Sequence, residues 1–151
     1  MTLQKPTLLD ISSMQDIVKE EIANGTILYR SDDEIATNIR SYTIVKIDDK
    51  IVGYGALHIH TKTLAEIRSL VISKDQRGKG LGAKLVKQLL QEGRDLNVKD
   101  IFTLTYQKEF FERLGFKEIP KESLPEQKIW ADCIKCKHFP ICNEVSLIIN
   151  L

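Results

Sequence analysis

Little in this chain is in excess, and its shortages narrow the field. Only three of the 151 residues are cysteine, too few for the disulfide framework that staples small secreted domains. They are expected to be reduced thiols in a cytoplasmic protein. Charge of one sign is missing too: 22 basic against 21 acidic residues leave a net charge of +1. That removes the basic excess on which a nucleic-acid partner depends. No apolar run approaches the length of a membrane span. The opening MTLQKPTLLD has no apolar segment behind a basic start, so it is not read as a signal peptide. Internal repeats, low-complexity stretches and linkers are also lacking. What is present, 42% hydrophobic and 28% charged residues, is the profile of a globular protein long enough to bury its own core. The reading is one domain over 1–151.

Periodicity sorts the chain into alternating elements. A short strand in TLQKP precedes a helix in DISSMQDIVKEEIANG, where Ile11, Met14, Ile17, Val18 and Ile22 share a face and Asn24-Gly25 is the stop. RSDDEIATNI predicts a second helix capped by Ser31 or Asp32. YTIVKID and KIVGYGALHIHT predict strands joined by a turn at Asp48-Asp49-Lys50, and LAEIRSLVIS another strand. From Leu81, residues Leu85, Val86, Leu89, Leu90 and Leu96 keep helical spacing. DIFTLTY, QKEFFERLG and FKEI then read as strand, helix and strand, and EVSLIINL closes the chain as a strand. Between them, 120–143 has no period and holds every cysteine and the single tryptophan. The fold class is α/β.

The densest local signal is DQRGKGLGAKL, Asp75 to Leu85, with Gly78, Gly80 and Gly82 between a strand and a helix and Arg77 and Lys79 beside them. Glycine lets the backbone turn tightly and lets a ligand approach it closely. A helix start leaves N–H groups without partners at the positive end of the helix dipole. Together they make an anion site, most often one for phosphate. The dinucleotide pattern wants its glycines near the start of the chain, and the P-loop's G-K-[ST] is absent.

The turn Arg77-x-x-Gly80-x-Gly82 after Leu70-Val71-Ile72, followed by FFERLGF from Phe110 to Phe116, resembles the two hallmark elements of the GNAT superfamily of N-acetyltransferases. The resemblance implies a mostly antiparallel mixed sheet, splayed between strands 4 and 5 and flanked by helices. It implies acetyl-CoA as co-substrate. Arg77, Gly78, Lys79, Gly80, Leu81 and Gly82 would hold its pyrophosphate, and Leu70, Val71 and Ile72 its pantetheine arm. Further stretches, among them GTILYRSDDEI, GYGALHIH and KIWADCIKCKHFPICNEVSLIINL, are similar to the short, single-domain bacterial N-acetylglutamate synthases. That similarity implies acetylation of the α-amine of L-glutamate, the entry to arginine biosynthesis. The kinase-like domain of the longer synthases, with its arginine site, is expected to be absent.

Acetyl transfer to an amine needs a proton acceptor and an oxyanion donor, with an acid for the leaving thiolate as an option. Glu66, on the strand before the turn, is the candidate base, and the backbone N–H near Ile72 the oxyanion donor. The superfamily's usual tyrosine is replaced by Phe111. Either Tyr106 substitutes as acid, or the thiolate leaves unprotonated by the enzyme. Glutamate's two carboxylates call for fixed cations. Arg30 matches a carboxylate-binding arginine of the longer synthases. Arg68, His58 and Lys128 are further candidates. Cys133, Cys136 and Cys142 with His138 are of zinc-ligand types, but the spacing is compact. Packed reduced thiols without a metal are the reading. Expected partners are small molecules, neither nucleic acid nor membrane, with a homodimer left open. Two alternatives stand beside glutamate: another amine (amino acid, polyamine or protein N-terminus), and a non-catalytic acetyl-CoA-binding regulator, suggested by Phe111.

Overall fold

The computed structural model describes residues 1–124 and 144–151. Strand β1 (Thr2–Gln4) leads through a 3-10 turn into helix α1 (Ile11–Ala23), and α2 (Asp32–Thr37) follows. Of the two caps expected for α2, Ser31 is the one used: its hydroxyl accepts from the Glu34 N–H. Strands β2 (Tyr42–Ile47) and β3 (Lys50–Ile59) are joined by Asp48 and Asp49 alone, both at positive φ (50° and 62°). A two-residue hairpin loop with that geometry matches the twist of its strands, and Asp tolerates it better than most residues.

Next come β4 (Leu64–Ile72), α3 (Leu81–Asp95), β5 (Asp100–Thr105), α4 (Lys108–Arg113), β6 (Lys117–Ile119) and β7 (Val145–Asn150). Helix α3 stops just short of Leu96, which is 58% exposed rather than on the apolar face. Asn97, at φ 63°, turns the chain toward β5.

The seven strands form one sheet in the order β1-β2-β3-β4-β5-β7-β6. Every neighbouring pair is antiparallel except β4 and β5, which run parallel. Helices cover both faces. On one, Ile11, Met14 and Val18 of α1 and Ile35 of α2 pack with Tyr42, Ile44, Tyr54, Ala56 and Val71. On the other, Leu85, Val86, Leu89 and Leu90 of α3 and Phe111 of α4 pack with residues that include Leu57, Ile67, Ile101 and Leu147. Gly93 lies inside α3 because a Cβ there would stand 2.7 Å from Ile101 Cδ1; the helix comes that close to β5.

One irregularity decides which side chains share a face. Tyr54 stands opposite Val71 and Ala56 opposite Arg68, so Ser69 and Leu70 face Gly55 alone. Ser69 takes φ 58° to make this bulge. In an unbroken strand Glu66, Arg68, Leu70 and Ile72 would all point one way. The bulge keeps Glu66 and Arg68 with the α1 face and sends Leu70 and Ile72 to pack against α3.

Candidate active site

The parallel pairing of β4 with β5 covers only Leu64–Asp100, Ala65–Ile101 and Glu66–Phe102. At the next step the Thr103 hydroxyl, 3% exposed, donates to the Ile67 carbonyl at 2.9 Å. Beyond it the strands diverge and a cleft of about 1000 Å³ opens. Its walls are the second half of β4, the glycine turn and start of α3, the end of β5, and the loop from Asn24 to Arg30.

On the turn side Gly78 and Gly80 both have φ 78°. An added Cβ at either would meet nothing within 4 Å, so backbone conformation explains these glycines and crowding does not. The same open space lets a ligand lie against the main chain. Gly80 is the N-cap of the 15-residue α3 and brings no side chain to cap it. The first N–H groups of α3 therefore suit an anion.

Arg77 lines the cleft, but its guanidinium is turned to structural partners: Nε donates to the Ile72 carbonyl at 2.8 Å, and the terminal nitrogen to Glu21 of α1 at 2.5 Å. Next to this pair Lys74 bonds Glu20. Leu70, Val71, Ile72, Gly78, Gly80, Leu81 and Gly82 all line the cleft; Lys79 does not, and its ammonium bonds the Gln76 side chain at 2.9 Å. A diphosphate fits at the uncapped helix start, and an amide-bearing arm fits in the gap where β4 and β5 lack each other's backbone. The chain thus has the features a coenzyme A thioester requires.

Another part of the cleft wall is made of side chains. Glu66 is 1% exposed and lines the cleft. His60 Nε2 lies 2.9 Å from its Oε1. Arg68, two residues along β4, also lines the cleft, as does Arg30 at 8% exposure, held by Glu34 at 2.6 Å and by a bond from Gln15 to its own carbonyl at 2.9 Å. Tyr106 lines the cleft and is 38% exposed. Phe111 is buried, edge-on to both Phe110 and Phe116.

His58 pairs in register with Glu66 across β3 and β4 but is not part of the cleft lining. Burial first, then the Arg68 charge and His60, push its imidazole down to about 4. At neutral pH it brings no positive charge to a carboxylate. Lys128, Cys133, Cys136, His138 and Cys142 lie outside the described residues.

The structure adds four residues to those the sequence suggested: His60 behind Glu66, Ser69 at the bulge, Thr103 at the divergence, and Glu21 behind Arg77. Only His60 left a trace, since His58-x-His60 alternates toward one face of a strand, the face Glu66 shares in register.

The chain matches the model of the acetyltransferase (GNAT) family over residues 9–116. It is 35% identical over 144 residues to an uncharacterized N-acetyltransferase of Chlorobaculum tepidum, covering 95% of this chain and 92% of that one. An amino-acid acetyltransferase of Mycobacterium tuberculosis is 46% identical over 70 residues, which is 46% of this chain and 40% of the relative. Among solved structures, N-acetylglutamate synthase from Neisseria gonorrhoeae, complexed with coenzyme A and N-acetyl-glutamate, superposes with a TM-score of 0.89 at 21% identity. That likeness of fold covers 99% of this chain and 35% of the synthase.

Proposed function

The chain belongs to the acetyltransferase (GNAT) family, and from that premise we propose that it acetylates the α-amine of L-glutamate. The observation that carries the acceptor is charge: Arg30 and Arg68 line one cleft together with buried Glu66. An amino acid with two carboxylates needs two fixed cations and one base, and burying carboxylates without such partners is costly.

Acetyl-CoA supplies a thioester carbonyl open to attack by an amine. The N–H groups of the turn and of the first turn of α3 hold its diphosphate, with Lys79 adding charge from the rim. Arg77 steadies the turn through Glu21 and the Ile72 carbonyl. The backbone of Leu70 to Ile72 aligns the pantetheine arm, and an N–H near Ile72 receives the carbonyl oxygen as it becomes negative. Glu66 takes the proton that the ammonium must lose before nitrogen can attack. As the new C–N bond forms and C–S breaks, the sulfur takes a proton from Tyr106 or from water.

The test is free-thiol release from acetyl-CoA by the purified protein with L-amino acids, spermidine and short peptides. Glutamate-dependent release is expected. Arg30→Ala should raise the KM for glutamate by about tenfold to a hundredfold, the range of a lost charge-assisted bond. Release with a different amine and none with glutamate would overturn the acceptor. Silence across the panel despite tight coenzyme binding would favour a non-catalytic binding protein.

A further inference from the structure

We propose that His60 is a positioning residue for acetyl transfer, acting on the acceptor amine through Glu66. The inference rests on the acetyl-transfer reading and assigns a role to a side chain that does not line the cleft.

Its geometry is that of a fixed support. His60 Nε2 is 2.9 Å from Glu66 Oε1, and the two side chains are 8% and 1% exposed. The ring cannot swing freely. Phe102 lies against it with centroids 5.3 Å apart and planes at 34°, and His58 meets it edge-on at 4.8 Å. The His60 main chain is held as well, its N–H donating to the Leu64 carbonyl at 2.9 Å. The charged and ionisable groups that act on its neighbour His58 are Arg68, His60, Glu66 and Arg30.

With a neutral ring, Nε2–H donates to Oε1 and aims the carboxylate, which accepts one proton from the substrate ammonium. The N–H electron pair stays on nitrogen as the attacking lone pair. A buried carboxylate supported only by apolar packing would lack that aim.

Two variants separate aiming from packing. His60→Leu removes the donor, and kcat should fall by about tenfold to a hundredfold with the KM for acetyl-CoA unchanged. His60→Gln keeps an N–H near the same place and should retain kcat within about threefold of the wild type. An unchanged kcat in His60→Leu, or a kcat in His60→Gln as low as that of His60→Leu, would overturn the proposal.

A third measurement needs no turnover: the imidazole N–H signals by NMR in wild type and in Glu66→Gln at one pH. The His60 N–H signal should change its chemical shift once the carboxylate is gone, and coincident spectra would overturn the pairing. If the wild-type protein turns over no amine, the acetyl-transfer reading fails on that result, while these spectra still decide whether the two side chains are bonded.

Discussion

On one side of the cleft, between Arg77 and Gly82, the groups offered to a ligand belong to the backbone. On the other, around Arg30, Glu66 and Arg68, they belong to side chains. The turn side needs little support: two glycines at φ 78°, a helix start without a capping side chain, and one arginine tied to α1. The side-chain wall needs a great deal: a bulge at Ser69 that turns Leu70 and Ile72 away from the face of Glu66 and Arg68, a histidine behind the carboxylate, and Glu34 against Arg30. Backbone groups are the same in every residue, so a site made of them suits a ligand common to a whole family. Side chains carry the differences, so on the proposed reading the acceptor is chosen where the supports are most elaborate.

Three substitutions would break or sharpen that contrast. Glu66→Gln should give the largest effect, lowering kcat by about a hundredfold to ten-thousandfold, the usual range for a lost general base. Coenzyme affinity, measured by calorimetry on the same protein, should stay within about twofold. A parallel loss of coenzyme binding would mean the halves are not separable.

Gly80→Ala tests the reverse. Its Cβ has open space, so only the left-handed backbone is penalised, by about 1–2 kcal/mol. The KM for acetyl-CoA should rise by roughly fivefold to thirtyfold on that basis, with the KM for the acceptor little changed. Initial-rate kinetics with each substrate varied in turn would read both.

The smallest effect is on stability. Folded His58 takes its proton only near pH 4, against 6.5 for the free side chain. Between those values the unfolded chain binds a proton that the folded chain refuses. Stability contributed here is lost as pH falls from 6.5 toward 4 and restored above that window. Thermal unfolding of His58→Gln should show a flatter dependence of Tm on pH over the same range. An unaltered slope would locate the acid sensitivity elsewhere.

The same contrast explains what could be read from the amino-acid order. Strand and helix periods, the Asp48-Asp49 turn and the glycines before Leu81 are local, and each has a residue type that only one conformation favours. They place the sheet, its helices and the glycine turn. The pairing of His60 with Glu66 depends on the register of β3 against β4, and that register depends on a bulge formed by serine, a residue with no strong preference for positive φ. Arg77 shows a different limit. Its place beside the turn was legible; its attachment to Glu21, 56 residues earlier, was not, because no local pattern reports which distant carboxylate a surface arginine will meet. His58 alternates correctly for the site face and was expected to offer charge, yet burial and Arg68 hold it neutral.

The divergence at Thr103 has a consequence for the protein as material. Among the described residues the β4–β5 ladder ends at Glu66 and Phe102, and beyond it each strand turns a backbone edge toward the cleft. Exposed edges are templates for foreign strands, and proteins normally blunt or cover them. On the proposed reading the cover is the coenzyme's pantetheine arm, and a ligand that binds only the folded chain raises its stability with the logarithm of its concentration. The co-substrate would then guard these edges as well as feed the reaction.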